Sequence, residues 1–249
     1  MRKSRVVHLA VALVAAGAGR APAQDEARAL VEKAVEAHGG KKNLAKLAAM
    51  RLKCRGTAYI GGQTIRFTAE SLTRLPDRDK RTVEAEAGDG TVTWVFVSAG
   101  KKSWKTYQGD QQPVTADELA GNDAALQLAR QRSLLPLLHD RSLRRAHLGE
   151  ITVEGRAAVG IKVTAAGHKD VDLYFDKASG LLVKSVRWGR SPEDREVSWE
   201  TYYLDYKEVD GVRQPMKYVQ KHDGKTYTEN EVVEVRFLDR IDDAELDKQ

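Results

Sequence analysis

Turns carrying glycine or aspartate punctuate this chain at intervals of about 9 to 13 residues over most of its length, and that spacing constrains the fold more than any other feature. They fall at Gly61-Gly62, Gly88-Asp89-Gly90, Gly100-Lys101, Gly109-Asp110, Gly155, Gly167, Ser179-Gly180, Ser191-Pro192, Asp210-Gly211 and Asp223-Gly224. Between them lie strand-length runs rich in Val, Thr, Tyr, Trp and Phe, such as TVTWVFVS, AAVGIKVTA, VDLYF, LLVKSVRW and VSWETYYLDY. β-branched and aromatic side chains suit a pleated, half-buried surface, and short turns join each strand to its sequence neighbour. The expected fold is mainly β with short helices, an α+β arrangement on a large, curved, antiparallel up-and-down sheet of ten or so strands.

The alternation can be followed residue by residue. In MRLKCRGTAYI, Met50, Leu52, Cys54, Ala58 and Ile60 share one side and Arg51, Lys53, Arg55 and Thr57 the other. Cys54 then reads as a small buried hydrophobe. Gly61-Gly62 turns this strand into TIRFTAES, where Ile65, Phe67 and Ala69 alternate with polar residues, as in a hairpin. Two regions break the pattern. Residues 25–38, DEARALVEKAVEAH, space Leu30, Val31, Ala34, Val35 and His38 as one face of a helix that Gly39-Gly40 ends, and a short helical piece follows over 41–49. His38 reads as a last-turn histidine facing the helix dipole. From Thr115 to Asp140 the chain turns helical again, with Thr115 and Glu118 as a capping box, several leucines, and Pro136 dividing the segment in two. The terminal RIDDAELDKQ reads as a helical turn of little consequence. One face of so large a sheet must be covered. Laying the first helix and the Leu-rich 115–140 insert across a half-closed barrel covers it, the insert acting as a lid.

Residues 1–23 read as a separate unit. Arg2, Lys3 and Arg5 precede an apolar run from Val6 to Ala16, and Ala21-Pro22-Ala23 supplies a small-residue cleavage site before Gln24. The apolar run is shorter than the roughly 20 residues that a membrane-spanning helix needs. The expectation is a secretory signal peptide and one periplasmic domain over 24–249. Its removal takes away four basic residues and no acidic one, so Lys plus Arg drops from 41 to near parity with the 36 acidic residues. The case for a nucleic-acid partner weakens accordingly. Arg141, Arg144 and Arg145 read as a solvated strand face. Cys54 is the single cysteine, so no internal disulfide can brace the domain.

The stretch YFDKASGLLVK, followed by an EVDGV-x-x-P turn within DYKEVDGVRQPMKYVQKHDGKTYTENEVVEVRF, resembles the C-terminal half of the LolA-like outer-membrane lipoprotein carriers. ALVEKAVEAHGGKKNLAKLAAMRLKCRGTA is similar to the start of the same set, so the resemblance spans most of residues 26–238. It implies an incomplete antiparallel barrel capped by helices, whose apolar lining shelters lipoprotein acyl chains. Its implied partners are lipid or acylated lipoprotein and membrane-bound donor and acceptor proteins; a monomer is expected.

Catalytic chemistry has no local motif to rest on. His139-Asp140 is a lone pair, His147, His168 and His222 are scattered, and none has neighbours at metal-ligand spacing, so no metal or cofactor is expected. Shelter of an acyl chain asks for less, since each buried methylene contributes about 0.8 kcal/mol without a directed hydrogen bond. Leu52, Ile65, Phe67, Trp94, Phe96 and Val163 are assigned to the concave side, with Leu134, Leu135 and Leu138 on the lid. The competing reading is an envelope sensor or protein-interaction module that uses the same sheet without transporting lipid.

Overall fold

A computed structural model describes residues 21–99, 102–190 and 195–247. The expected targeting segment up to residue 20, and the turns at Gly100-Lys101 and Ser191-Pro192, lie outside the described residues. The first helix, α1 (Ala21–Ala37), begins ahead of the expected Asp25 and buries Ala27, Val31, Ala34 and Val35 completely. It stops where Gly39 takes φ 116°, and a Cβ there would lie 2.0 Å from the Gly211 carbonyl oxygen. Glycine is therefore needed both for the backbone angle and for the close approach. Helix α2 (Gly40–Leu44) and a 3-10 turn (Ala45–Ala48) then lead into the sheet.

Six strands follow in order: β1 (Ala49–Ile60), β2 (Gln63–Arg74), β3 (Arg78–Ala87), β4 (Gly90–Ala99), β5 (Lys102–Tyr107) and β6 (Asp110–Gln112). Helices α3 (Ala116–Arg132) and α4 (Leu135–His139) intervene. Seven more strands complete the sheet: β7 (Leu143–Val153), β8 (Arg156–Ala165), β9 (Val171–Asp176), β10 (Leu182–Arg190), β11 (Glu196–Val209), β12 (Val212–His222) and β13 (Lys225–Phe237). The short α5 (Asp243–Asp247) ends the described chain. All thirteen strands form one sheet in the order β6-β5-β4-β3-β2-β1-β13-β12-β11-β10-β9-β8-β7. Every pairing is antiparallel. Two meanders thus meet where β1 pairs with β13, and β6 and β7 are the two ends of a sheet that does not close. The count exceeds the ten or so expected because the charge-rich β3, RDKRTVEAEA, and the short β6 carry little apolar signal.

The α3–α4 segment carries the chain from one sheet edge to the other. Its capping box is present: the Glu118 N–H donates to Thr115 Oγ1 at 3.2 Å and the Thr115 N–H donates to Glu118 Oε2 at 2.8 Å. The break between the helices falls at Leu134, with φ 66°, slightly before Pro136. Pro136 sits in the first turn of α4, where a missing N–H costs no intrahelical bond. The C-terminal turn matters more than expected. Ile241 and Leu246 pack with Ala49 and Leu72 in a small second core. Its acidic residues draw in Arg51, Arg74 and Arg78, with Arg74 Nη2 2.6 Å from Asp243 and Arg78 Nη1 3.2 Å from Asp247.

Candidate functional site

Residues directly paired across antiparallel strands point to the same face, so the register settles which side chains share a face. One row runs Phe96, Arg81, Ser71, Leu52 and the next Tyr107, Trp94, Val83, Ala69, Cys54. A third joins Ala85, Phe67 and Gly56 to Asn230, Tyr218 and Tyr203 across the β1–β13 seam. On the far side Val163, Val171, Arg187 and Trp199 form one row. Val163 and Val171 belong to the core that α1 and α4 cover, so this is the inner face. Ala49 and Leu72, under α5, lie on the outer one. Leu52, Ile65, Phe67, Trp94, Phe96 and Val163 therefore share the inner face.

Their surroundings differ sharply. Val163 and Leu134 are fully buried in the main core with Leu137, Ile161, Leu173 and Phe175, and Leu135 and Leu138 pack against it. Among the described residues that core draws only on the helices and β7 to β13. Leu52, Ile65, Phe67, Trp94 and Phe96 are half-buried. Trp94 stacks on Phe96 with centroids 6.0 Å apart and lies 4.4 Å from Tyr107, making an aromatic strip on β4 and β5. Phe67 packs against Gly56, where a Cβ would come within 2.6 Å of the tip of its ring. A hollow of about 1110 Å³ reaches Phe67, but its walls are mostly outer-face polar side chains, among them Arg55, Arg66, Glu84 and Glu231, so it is distinct from the inner-face strip.

The first turn of α3 clasps both arms of the sheet. Lys105 Nζ on β5 donates to Glu118 at 2.5 Å, and Arg190 on β10 lies 3.7 Å from Asp117. At the other end of α3, Arg132 projects over the rings of Tyr203 and Tyr218, 4.9 and 5.6 Å from their centroids. Burial works against the charge of Arg132, but the phenol oxygens of Tyr203, Tyr218 and Tyr206 outweigh it and hold its pKa above the ordinary value. These tyrosines are fixed in turn: Tyr203 shares a 2.7 Å hydrogen bond with Ser185, Gln214 donates to Tyr218 at 2.7 Å, and Tyr206 donates to the Leu182 carbonyl at 2.6 Å. Alternation alone does not reveal this group, because its members come from three separate elements.

Several residues singled out from the sequence have specific partners. His38 is a buried brace: Nδ1 lies 2.7 Å from the Ala34 carbonyl, and Nε2 accepts from the Leu182 N–H at 3.4 Å. Burial pulls its pKa down to about 4, so it is neutral and does not answer the helix dipole with a charge. Arg145 departs from the expected solvated face, since its Nη1 donates to the Leu137 carbonyl of α4 and ties the cover to β7. Burial raises the pKa of Cys54, the opposite of what an activated thiolate needs. Asp140 bonds Ser142 and Arg130, while His139 is exposed. Among the described residues no three His, Cys, Asp or Glu side chains are placed to hold a metal ion. Nor is any described helix long and apolar enough to cross a membrane.

No family model matches the chain, and no curated protein matches it. Solved structures do. A LolA superfamily protein of Nitrosomonas europaea superposes with a TM-score of 0.56 at 11% identity, covering 88% of this chain and 96% of its own. A DUF1329 family protein of Desulfovibrio piger gives 0.55 at 12% identity, covering 89% and 97%. An outer membrane lipoprotein-sorting protein domain of Vibrio parahaemolyticus gives 0.53 at 12% identity, covering 90% and 97%. At such identities the likeness is one of architecture, and on it this chain has the LolA-like fold, an open, curved antiparallel sheet with helices across its inner face.

Proposed function

We propose that the protein is an exported carrier that shelters a hydrophobic ligand, a lipoprotein acyl chain or one like it, on the inner face of its first meander. The segment 1–23 directs it to the periplasm, and it acts by binding and not by catalysis. The observation that carries this reading is the strip of half-buried apolar side chains, Leu52, Ile65, Phe67, Trp94 and Phe96, beside an arm whose equivalent face is already filled. A folded protein gains by burying such side chains, and a hydrocarbon tail would complete their contacts at about 0.8 kcal/mol per methylene. The α3 clasp supports the lid: releasing Lys105–Glu118 and Arg190–Asp117 frees its first turn from both arms. That two of the structurally similar proteins are described as LolA superfamily and lipoprotein-sorting proteins agrees with this function.

The test is mass spectrometry of the protein purified from its native envelope, alongside the variant Phe96→Asp. An acylated species that accompanies the wild type and drops at least tenfold in the variant is the expected result. A stable protein complex free of lipid in both would replace the carrier with an interaction module.

A further inference from the structure

Several arginines on the outer face of this sheet have carboxylate partners: Arg51 with Glu70 and Glu245, Arg55 with Glu231, Arg74 and Arg78 with Asp243. Arg187, on the inner face of β10, differs. Among the described residues no carboxylate pairs with it, and its guanidinium lies over the ring of Trp199 with 4.4 Å to the centroid. Trp199, its cross-strand partner on β11, has an indole nitrogen that is buried and bonded to no acceptor. The two donors come together against Gly189: Arg187 Nη1 and Trp199 Nε1 are each 3.1 Å from the point where a Cβ on that residue would sit, closer than a side chain there would comfortably allow. Two N–H donors brought side by side, with no acceptor between them, is an arrangement that folding alone does not favour. A buried donor left unmade costs about 1–3 kcal/mol, and a guanidinium withdrawn from water costs more unless it is paired.

We propose that Arg187 and Trp199, brought together against Gly189, form an anion site for a phosphate or other oxyanion on the inner face. Resting on the carrier reading, this makes the favoured cargo an amphiphile whose anionic head group seats here while its tail lies on the aromatic strip. A guanidinium held over an indole keeps N–H groups free for a second partner, and its planar fork suits two oxygens of one anion. Arg81, on the inner face of β3, reinforces the positive field. Its charge, together with burial as the larger cause, lowers the Arg187 pKa to about 10, which still leaves it charged at neutral pH. Arg81 itself is engaged by Asp79 at 3.4 Å, so Arg187 is the member with binding capacity left over.

Calorimetry with two lipids of identical short tails, dioctanoyl phosphatidylglycerol and dioctanoyl phosphatidylcholine, and with inorganic phosphate alone, tests the site. Three variants are compared with the wild type: Arg187→Met removes the charge, Trp199→Phe keeps an aromatic ring and removes the donor, and Gly189→Ala places a methyl against both donors and pushes them apart. The wild type should prefer the anionic lipid at least tenfold, and Arg187→Met should erase the preference while keeping the affinity for phosphatidylcholine. Trp199→Phe and Gly189→Ala should each reduce it severalfold. If neither lipid binds but phosphate binds the wild type and not Arg187→Met, the anion site stands and the carrier reading falls. If both lipids bind equally well to the wild type and Arg187→Met, the site is overturned and the carrier stands. Absence of all binding overturns both.

Discussion

The arm of the sheet built from β7 to β12 and the arm built from β1 to β5 share one inner face, yet they present different surfaces on it. On the first, Val163, Val171, Leu173 and Phe175 are sealed under α1 and α4, and polar groups such as His38 and Tyr206 are tied to named partners. On the second, Phe67, Trp94 and Phe96 carry the same kind of side chain on the same face, but the main core does not reach them. The chain itself explains the asymmetry. Helix α1 packs on β7, and Arg145 holds α4 to the same strand, so the cover is anchored to one arm. The first turn of α3 reaches the other, through Lys105 and Glu118. One arm is therefore filled by the protein's own cover, and the other keeps half-buried apolar side chains on the same face.

If that division is right, equal truncations should have unequal consequences. Phe175→Ala, deep in the filled arm, should cost about 3–5 kcal/mol of unfolding free energy, the range for removing a large buried aromatic. Phe96→Ala, on the half-buried strip, should cost about 1 kcal/mol, in proportion to the smaller area it hides. Urea denaturation of both variants measures the difference. Losses of equal size would mean that the two arms are equally part of the core.

The filled arm also predicts a dependence on pH. His38 has an unfolded pKa near 6.5 and a folded one of about 4, so the unfolded chain takes up a proton that the native state refuses. Stability contributed by the neutral brace is complete above pH 6.5, falls as the pH drops through the window down to 4, and is level below it. The whole window corresponds to about 3 kcal/mol, and by pH 5 about 2 kcal/mol should be gone. Asp140 and Asp176, whose pKa values are held below the usual 3.8, lose their contribution only under more acid conditions. Denaturation of the wild type and His38→Asn at pH 7 and pH 5 isolates the effect. An unchanged gap between the two proteins at the two pH values would place the loss elsewhere.

What could be read in the chain beforehand follows the same division. A strand with one wet face announces itself locally, and the alternation from Met50 to Ile60 and on through Ile65 and Phe67 sorts those residues onto the face they occupy. The capping box of Thr115 and Glu118 is equally local. The Arg187 site is not, because it depends on the register that sets Trp199 opposite Arg187 and on the missing side chain at Gly189. His38 gives no hint of its partner either, since Leu182 lies 144 residues away in the chain. In α5 a single leucine, Leu246, supplies the buried side chain, too weak a periodicity to signal that the turn seals a second core. Short-range chemistry is written in neighbouring residues, whereas the groups on the inner face are decided by which strands and helices come together there.

The smallest expected effect concerns the element that links the arms. Thr115 caps α3 through Oγ1, and its backbone N–H is satisfied in return by Glu118, the residue that also holds Lys105. Thr115→Ala removes the side-chain half of this box and should cost about 1 kcal/mol, the usual loss for an N-cap replaced by alanine. Because the contact of α3 with the β1–β5 arm runs through its opening turn, the loss should be confined to that helix. Amide hydrogen exchange in the first turns of α3 should quicken about fivefold, the factor that 1 kcal/mol represents, while β8 and β9 keep their wild-type protection. Faster exchange throughout both arms would show that α3 is part of the same cooperative unit as the filled arm, and a cover that opens on its own would then be ruled out.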